Sequence, residues 1–230
     1  MAELIASRRA SRDHNLAILR RAGFEPAAWL PLREHHAQLR PTEEIVARLM
    51  AVGALIAWAS GDEARAPSRA VEAHVERSAL EAALTEGERE VLGLPRTEAR
   101  EAYAEAIGWH MSELWSLGWI LGVDPPPAFD GSAPSQEVSL ELLLFSQRGL
   151  DASVEGFVSR VELRPVAEVV VVEDLFVCVH HAALRAALGE ATARAGFAPE
   201  VAGAAIQARR HALTWSLSPS VSWEETDLGT

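Results

Sequence analysis

The sequence contains no lysine and very little of three other residue types: Asn15 is the only asparagine, Tyr103 the only tyrosine and Cys178 the only cysteine. A single cysteine excludes an intramolecular disulfide and fits a reducing cytosol. All 21 basic residues are therefore arginines. Either a GC-rich genome favours arginine and alanine codons, or arginine serves the bidentate recognition of carboxylate or phosphate. Because the bias runs through the whole chain, we favour the genomic explanation.

Motifs of several enzyme classes are also missing. The chain has no G-x-S-x-G nucleophile elbow, no G-x-G-x-x-G, no phosphate-binding P-loop and no His-Glu-x-x-His. Cys178 stands in an apolar run three residues before His181, whereas a reactive thiol usually has a helix N-terminus or a cation that lowers its pKa. The sequence therefore predicts no catalytic residues and no cofactor.

Long apolar runs are absent as well. The most apolar stretch, Leu49–Ser60, lies between Arg48 and Asp62 and is typical of a buried helix rather than a membrane span. Arginines interrupt the apolar positions of Met1–Gly23, which a secretory signal would not tolerate. The net charge of −12 disfavours nucleic acid and anionic lipid and suits a basic partner. We expect a cytoplasmic protein that binds neither nucleic acid nor membrane.

The hydrophobic periodicity predicts a mainly α fold, with residues 1–230 forming a single-domain multi-helix bundle. A Pro/Gly-rich loop over 123–135 is expected to separate two helical halves. The expected helices span approximately residues 3–22, 42–60, 67–84, 85–92, 97–122, 136–147, 151–162, 165–188 and 200–217.

Two segments decide this fold prediction. Trp109, Trp115 and Trp119 lie in an apolar stretch that ends at Gly122, so we expect a buried, Trp-rich helix at the centre of the bundle. The β-branched run 169–172 is compatible with a strand. However, Pro165 suits a first helical turn, and the apolar residues that follow it recur every three or four positions, so a helix is favoured.

His110 and Glu113 are the first candidate ligand-binding residues, because they lie one turn apart on the predicted Trp-rich helix. Together with His180 and His181 from another helix they resemble part of a metal site in a helical bundle. Such sites need several convergent acids, and only this His–Glu pair is visible. No metal is therefore predicted, and a buried polar pair is the simpler interpretation.

A second candidate site contains Arg209, Arg210 and Trp215 near the C-terminal end of the chain. Acidic residues follow at 224, 225 and 227. The arginines can either clamp this tail onto their own helix or bind an acidic ligand. The clamp is the favoured interpretation.

Six segments, taken in order, resemble the bacterial domain-of-unknown-function 4272 family. They are Arg20–Phe24 with Leu30-Pro31, Leu39–Ile45, Leu84–Leu92, Trp109–Gly122 with Pro125-Pro126, Leu163–Leu175 with His180, and Arg209–Trp215 with Trp223–Asp227. The resemblance covers nearly the whole chain. It implies a mainly helical fold and supplies no activity.

Two functions therefore stand as hypotheses. The first is a non-catalytic interaction or regulatory protein that binds a protein partner, one version being an immunity- or antitoxin-like role, with a basic partner favoured by the negative charge. The second is an enzyme or small-ligand-binding protein that uses the His/Glu or Arg residues between helices. Convergence of these side chains in one pocket would favour the second hypothesis, and their dispersal would favour the first.

Overall fold

The computed structural model describes residues 2–32, 37–61, 63–64, 66–104, 106–147, 153–191 and 193–229, and every regular element within them is helical. The mainly α prediction is thereby confirmed. The elements are α1 (Ala2–Arg21), α2 (Thr42–Ser60), α3 (Ser68–Arg77), a 3-10 helix (Leu80–Ala83), α4 (Glu86–Gly93), α5 (Arg96–Tyr103), α6 (Ile107–Ile120), α7 (Gln136–Gln147), α8 (Val154–Val158), α9 (Val166–Ala187) and α10 (Pro199–Ser216).

Helix α2 has the largest number of neighbouring elements. It packs against α3 to α8 and against the 3-10 helix, and almost every residue from Ile45 to Ala59 is buried. A helix that is apolar all round is stable only when it is covered on all sides. Close approach to α7 depends on Gly53, where an added Cβ would lie 2.6 Å from the Ser146 side chain. The structure thus does not confirm the Trp-rich helix as the centre of the bundle.

The prediction of one continuous helix over 97–122 is wrong, because α5 ends at Tyr103 and α6 begins at Ile107. Helix α5 buries Ala99 and Tyr103 and packs against α2 and α4, whereas α6 packs mainly against α10 and α2. The intervening turn contains no proline or glycine. Each half follows its own packing surface, which helix propensity alone does not reveal.

The segment 165–188 is a helix, α9, as the periodicity indicated. Helix α9 packs between α1 and α10, and α10 packs between α9 and α6. The Arg12 guanidinium joins α1 to α9 through an ion pair of 2.6 Å with Asp174. These contacts place α1, α9, α10, α6 and α2 in sequence across the molecule.

Two shorter predictions need correction. The helix expected over 67–84 is divided into α3 and the 3-10 helix, because Ala79 adopts a left-handed conformation with φ of 50°. The helix expected over 151–162 is shortened to α8, and residues 151 and 152 lie outside the described part of the chain. Among the helices described, none combines the length and the hydropathy needed to span a bilayer.

Candidate functional site

A buried ion pair between α2 and α4 is the foundation of the candidate site. Arg48 donates to both carboxylate oxygens of Glu88, at 2.6 Å from Nη1 and 2.8 Å from Nη2. Glu88 is also the third residue of α4, and its Oε2 atom accepts from the backbone N–H of Thr85 in a capping box. The sequence thus fixes Glu88 twice, once by local capping and once by an arginine from a distant helix.

Helix α6 brings His110 and Glu113 to the same ion pair. The Nε2 atom of His110 lies 2.9 Å from Oε1 of Glu88 and 3.9 Å from Oε2 of Glu113. The Nδ1 atom lies 3.0 Å from the carbonyl oxygen of Ala106. Glu113 Oε2 is 3.6 Å from Arg48 Nη2, is buried, and has no hydrogen-bond partner. We call Arg48, Glu88, His110 and Glu113 the α6 cluster.

Aromatic rings enclose the α6 cluster on two sides. The ring of Tyr103 lies 4.9 Å from that of His110, and its hydroxyl is buried without a hydrogen-bond partner. Trp223, from the C-terminal tail, stacks over the Arg48 guanidinium at 3.9 Å. The tail is held there by Arg40, which donates to the carbonyl oxygens of Ser218 and Val221. These rings lower the polarity around the charged groups of the α6 cluster, and the attraction between those charges is stronger as a result.

The charges of the cluster are strongly coupled. Burial disfavours the charged form of Glu88, but hydrogen bonds from His110 and Arg48 outweigh it and hold the Glu88 pKa well below its ordinary value. Burial also opposes the charge on His110, yet its contact with Glu88 and the charge of Glu113 raise the His110 pKa. Burial raises the pKa of Glu113 against the opposing effect of Arg48. Burial, followed by the charges of Glu88 and Glu113, raises the Tyr103 pKa.

A cleft between α6 and α10 leads to this cluster. It encloses about 390 Å³ and is lined by Trp109, Glu113, Gln207 and His211, with two alanines of α10. Trp109 is 51% exposed at the cleft, in contrast to the buried Trp115 and Trp119. Glu113 therefore belongs both to the wall of the cleft and to the buried cluster. Perturbed ionisable groups beside a cleft are typical of functional sites.

The other predicted site residues are not brought to this cluster. His180 accepts a 2.7 Å hydrogen bond at Nδ1 from Nη1 of Arg210, which also donates to the carbonyl oxygen of Leu228 in the tail. Arg209 donates to the carbonyl oxygens of Ala128 and Ser132 in the loop after α6. The arginines thus bind two different segments through backbone carbonyls. In these hydrogen bonds, the tail acids are not the partners that the clamp interpretation expected.

Trp215 is the last of the predicted residues, and it packs beside the tail. Its ring lies under the Arg40 guanidinium at 4.2 Å and contacts the ring of Trp223 at 5.1 Å. Since Trp223 also covers Arg48, Trp215 supports the α6 cluster from a distance. Its observed contacts are those of a residue that fixes the tail to α10.

His180 gives the fold a testable acid sensitivity. Burial, and then the charges of Arg210 and His181, lower the pKa of His180 to about 4. A histidine with a pKa below its unfolded value of about 6.5 binds its proton more readily in the unfolded chain. Its contribution to stability is therefore complete above about pH 6.5 and is lost as the pH falls towards about 4, amounting to about 3 kcal/mol at most.

We expect urea unfolding of the wild-type protein to show this loss between about pH 6.5 and about pH 4. Burial also lowers the pKa of His211 to about 4, so His211 contributes in the same pH window. His180→Gln should therefore make the pH dependence less steep, whereas His14→Gln, at an exposed position on α1, should leave it unchanged. An equally steep profile in His180→Gln would show that another group carries the acid sensitivity.

An exposed apolar patch lies on a different part of the molecule, at the C-terminal end of α9. Its large side chains are Trp29, Leu184 and Leu188, which are 69%, 46% and 72% exposed. The ring of Trp29 packs edge-on against His181 at 5.3 Å, and His181, Leu184 and Leu188 share one face of the helix by their spacing. We call this group the Trp29 patch. Contiguous exposed apolar surface often marks an interaction site.

Sequence reasoning found His110 and Glu113 but missed Arg48, Glu88 and Tyr103. The spacing of Thr85 and Glu88 is that of a capping box, which the structure shows, and a capping box gives no sign of an arginine partner. Arg48 stands between the apolar residues Val46 and Leu49 on α2, and this is the one signal that was available. A charge within an otherwise buried face needs a partner of opposite charge, although its identity cannot be read from the sequence.

Comparison with known proteins identifies the family of the chain. The model of a family described as a domain of unknown function, DUF4272, matches residues 10–226, so the chain belongs to this family. No curated protein and no solved structure matches the chain.

Proposed function

We propose that this member of the DUF4272 family is a non-catalytic binding protein that docks a basic protein partner on the Trp29 patch. The proposal rests on the exposure of Trp29, Leu184 and Leu188. It also rests on the packing of Trp29 against His181, which shares a face of α9 with the two leucines by its spacing. Tryptophan is the residue type most often found at the energetic centre of protein interfaces. A docked partner would remove the apolar surface of these three side chains from water, which is favourable.

The charge of the chain supports a basic partner. A net charge of −12 accelerates the encounter with a positively charged surface and disfavours acidic competitors. At the patch itself, the Arg185 guanidinium lies 3.9 Å from the Glu190 carboxylate, so that arginine has an acidic neighbour. Apolar contact with the Trp29 patch would provide the affinity, while the negative charge of the chain would favour basic partners over acidic ones.

The proposed role requires no reactive thiol. Cys178 is buried in α9, and burial raises the pKa of its thiol to about 12. A thiol held in this state is a poor nucleophile at neutral pH. We expect the protein to act in a reducing bacterial cytosol, where a single free cysteine is ordinary.

Selection from a displayed random-peptide library tests the proposal. Peptides that bind the wild-type protein should combine an apolar anchor with arginine or lysine. Trp29→Ala should weaken their binding by about 2 kcal/mol, or roughly thirtyfold, as expected for an interface hot spot. Leu140→Ser changes a leucine that is 57% exposed on α7, and this matched variant should bind normally.

Two results would contradict this function. One is the enrichment of acidic peptides, or of peptides that bind Trp29→Ala as well as the wild type. The other is a concentration-dependent dimer, seen by analytical ultracentrifugation, that Leu188→Glu dissociates. That result would assign the patch to a second copy of the chain.

The alternative hypothesis, an enzyme or small-ligand-binding protein, is favoured by one observation. His110 and Glu113 do converge, with Glu88 and Arg48, beside the α6–α10 cleft. His180, Arg209 and Arg210 remain elsewhere. Of the predicted residues, only His110 and Glu113 therefore converge, and their partners are Glu88 and Arg48, which were not predicted.

A further inference from the structure

Three potential ligand atoms meet inside the α6 cluster. Glu88, His110 and Glu113 each offer one, and these atoms all lie within 4.8 Å of one another. His110 is oriented by the 3.0 Å contact between Nδ1 and the carbonyl oxygen of Ala106. A carbonyl only accepts, so Nδ1 carries a proton, and Nε2 donates to Glu88 in the metal-free protein. An ion that displaces the Nε2 proton would meet the ring lone pair and the two carboxylates.

A single proton on Nε2 satisfies only part of this arrangement. It serves Glu88, at 2.9 Å, but Glu113 Oε2 lies 3.9 Å away and is left buried with no hydrogen-bond partner. The Tyr103 hydroxyl next to the His110 ring is a second buried group without a partner, and Tyr103 is only 4% exposed. Orphaned polar groups are costly, and in a native structure they point to a missing ion or water.

We propose that Glu88, His110 and Glu113 bind one divalent transition-metal ion, with Zn²⁺ as the reference ion. Bonds of about 2.0–2.2 Å to nitrogen and oxygen allow one ion to join ligand atoms up to about 4.3 Å apart. The separations of 2.9 Å and 3.9 Å from Nε2 lie within that reach. The two carboxylate ligand atoms lie within 4.8 Å of each other, so a carboxylate would turn towards the ion as it binds. Imidazole together with two carboxylates suits zinc and its first-row neighbours better than Ca²⁺ or Mg²⁺, which prefer oxygen ligands alone.

Neighbouring groups hold the proposed ligands in fixed orientations, as hydrogen-bond partners do in known metal sites. A backbone carbonyl fixes the His110 tautomer, and Arg48 with the Thr85 N–H fixes the Glu88 carboxylate. Once the Nε2 proton is displaced, the neutral imidazole, two carboxylates and one guanidinium give the cluster one net negative charge towards the ion. Arg48 therefore weakens cation binding by repulsion while it holds Glu88 in place.

The ion would have a route to solvent. Glu113 lines the 390 Å³ cleft with Trp109, Gln207 and His211. Three protein ligands leave one position of a tetrahedral ion open, as in zinc sites that exchange water or bind a ligand. This site is independent of the Trp29 patch, which lies at the end of α9.

The test uses full-length protein purified without a polyhistidine tag and stripped of metal with a chelator. Zn²⁺ is added in competition with a chromophoric chelator, and Co²⁺ is added to record its visible absorption. We expect one ion per chain and a Co²⁺ band of tetrahedral character. Glu113→Gln should weaken Zn²⁺ binding at least roughly a hundredfold, beyond the 10–100-fold typical of losing an outer-shell partner.

Glu113→Gln is the main variant because its carboxylate has the fewest contacts in the cluster, so folding is expected to survive. Circular dichroism of the metal-free variant checks this, and His110→Gln provides a second ligand deletion. His180→Gln and Glu137→Gln, which lie outside the cluster, should bind like the wild type. Failure to bind Zn²⁺ and Co²⁺ at one ion per chain, or equal binding by both ligand variants and the wild type, would overturn the proposal.

Peptide binding gives a separate readout. Loss of metal binding in Glu113→Gln with unchanged peptide affinity supports both proposals, whereas the peptide result alone decides the role of the Trp29 patch.

Discussion

Replacing Arg48 with methionine is expected to cost about 3–5 kcal/mol of folding free energy, because it leaves the Glu88 carboxylate buried without its guanidinium partner. The two side chains are only 2% and 6% exposed. Methionine retains much of the aliphatic stem, so the loss reports mainly on charge rather than on packing. Chemical denaturation of metal-free protein measures the effect without a contribution from a bound ion.

A double-mutant cycle separates the ion pair from the surrounding contacts. Glu88→Gln and the double variant Arg48→Met/Glu88→Gln complete it, and the double variant should lose clearly less than the sum of the single losses. Arg185→Met is the matched control, since Arg185 and Glu190 are 35% and 59% exposed and such pairs contribute about 0–1 kcal/mol. A loss in Arg48→Met as small as this control would show that water replaces the missing partner.

Trp115→Ala is expected to destabilise the protein by about 3–5 kcal/mol, the usual cost of truncating a large buried aromatic residue. Trp115 is 4% exposed, its Nε1 donates to the carbonyl oxygen of Pro125 at 2.8 Å, and its ring lies 4.9 Å from the Arg209 guanidinium. The substitution therefore removes packing and a tie to the loop after α6 together. This loss would consume much of the stability of an ordinary domain.

Trp109→Ala is the matched comparison, because the two residues stand on the same helix and Trp109 is 51% exposed. Its melting temperature should remain close to that of the wild type, while that of Trp115→Ala should fall clearly. Equal shifts would mean that the α6–α10 cleft closes over Trp109 in solution. A stable Trp115→Ala variant would remove Trp115 from the core.

Local sequence patterns predicted most of the helices correctly because capping and periodicity act over only a few residues. Thr85 and Glu88, three residues apart, form a capping box at the start of α4. Val169–Val172 lies in a helix despite its β-branched composition, since the apolar steps of three and four place a continuous stripe on α9. The same reasoning extended α5 into α6, because both segments are good helices and their division depends on what each packs against.

In the candidate site, too, some residues follow from local sequence patterns and others only from the packing of distant helices. His110 and Glu113 are three residues apart, and helical spacing alone makes them neighbours on α6. Its partners Arg48 and Glu88 lie on two other helices, and their approach depends on how α2, α4 and α6 pack. His180 and Arg210 form a contact from two further helices instead of joining that pair.

The sequence by itself determined the helical class, the absence of a disulfide within these 230 residues and the acidic character of the chain, because each depends on composition or on neighbours a few positions apart. Only the tertiary structure decided that α2 is the most enclosed helix, that Glu113 faces Arg48 and that Trp29 stays in water. Each of these outcomes depends on contacts between residues distant in the chain. Such contacts arise from the shape of the whole core, which no local pattern contains.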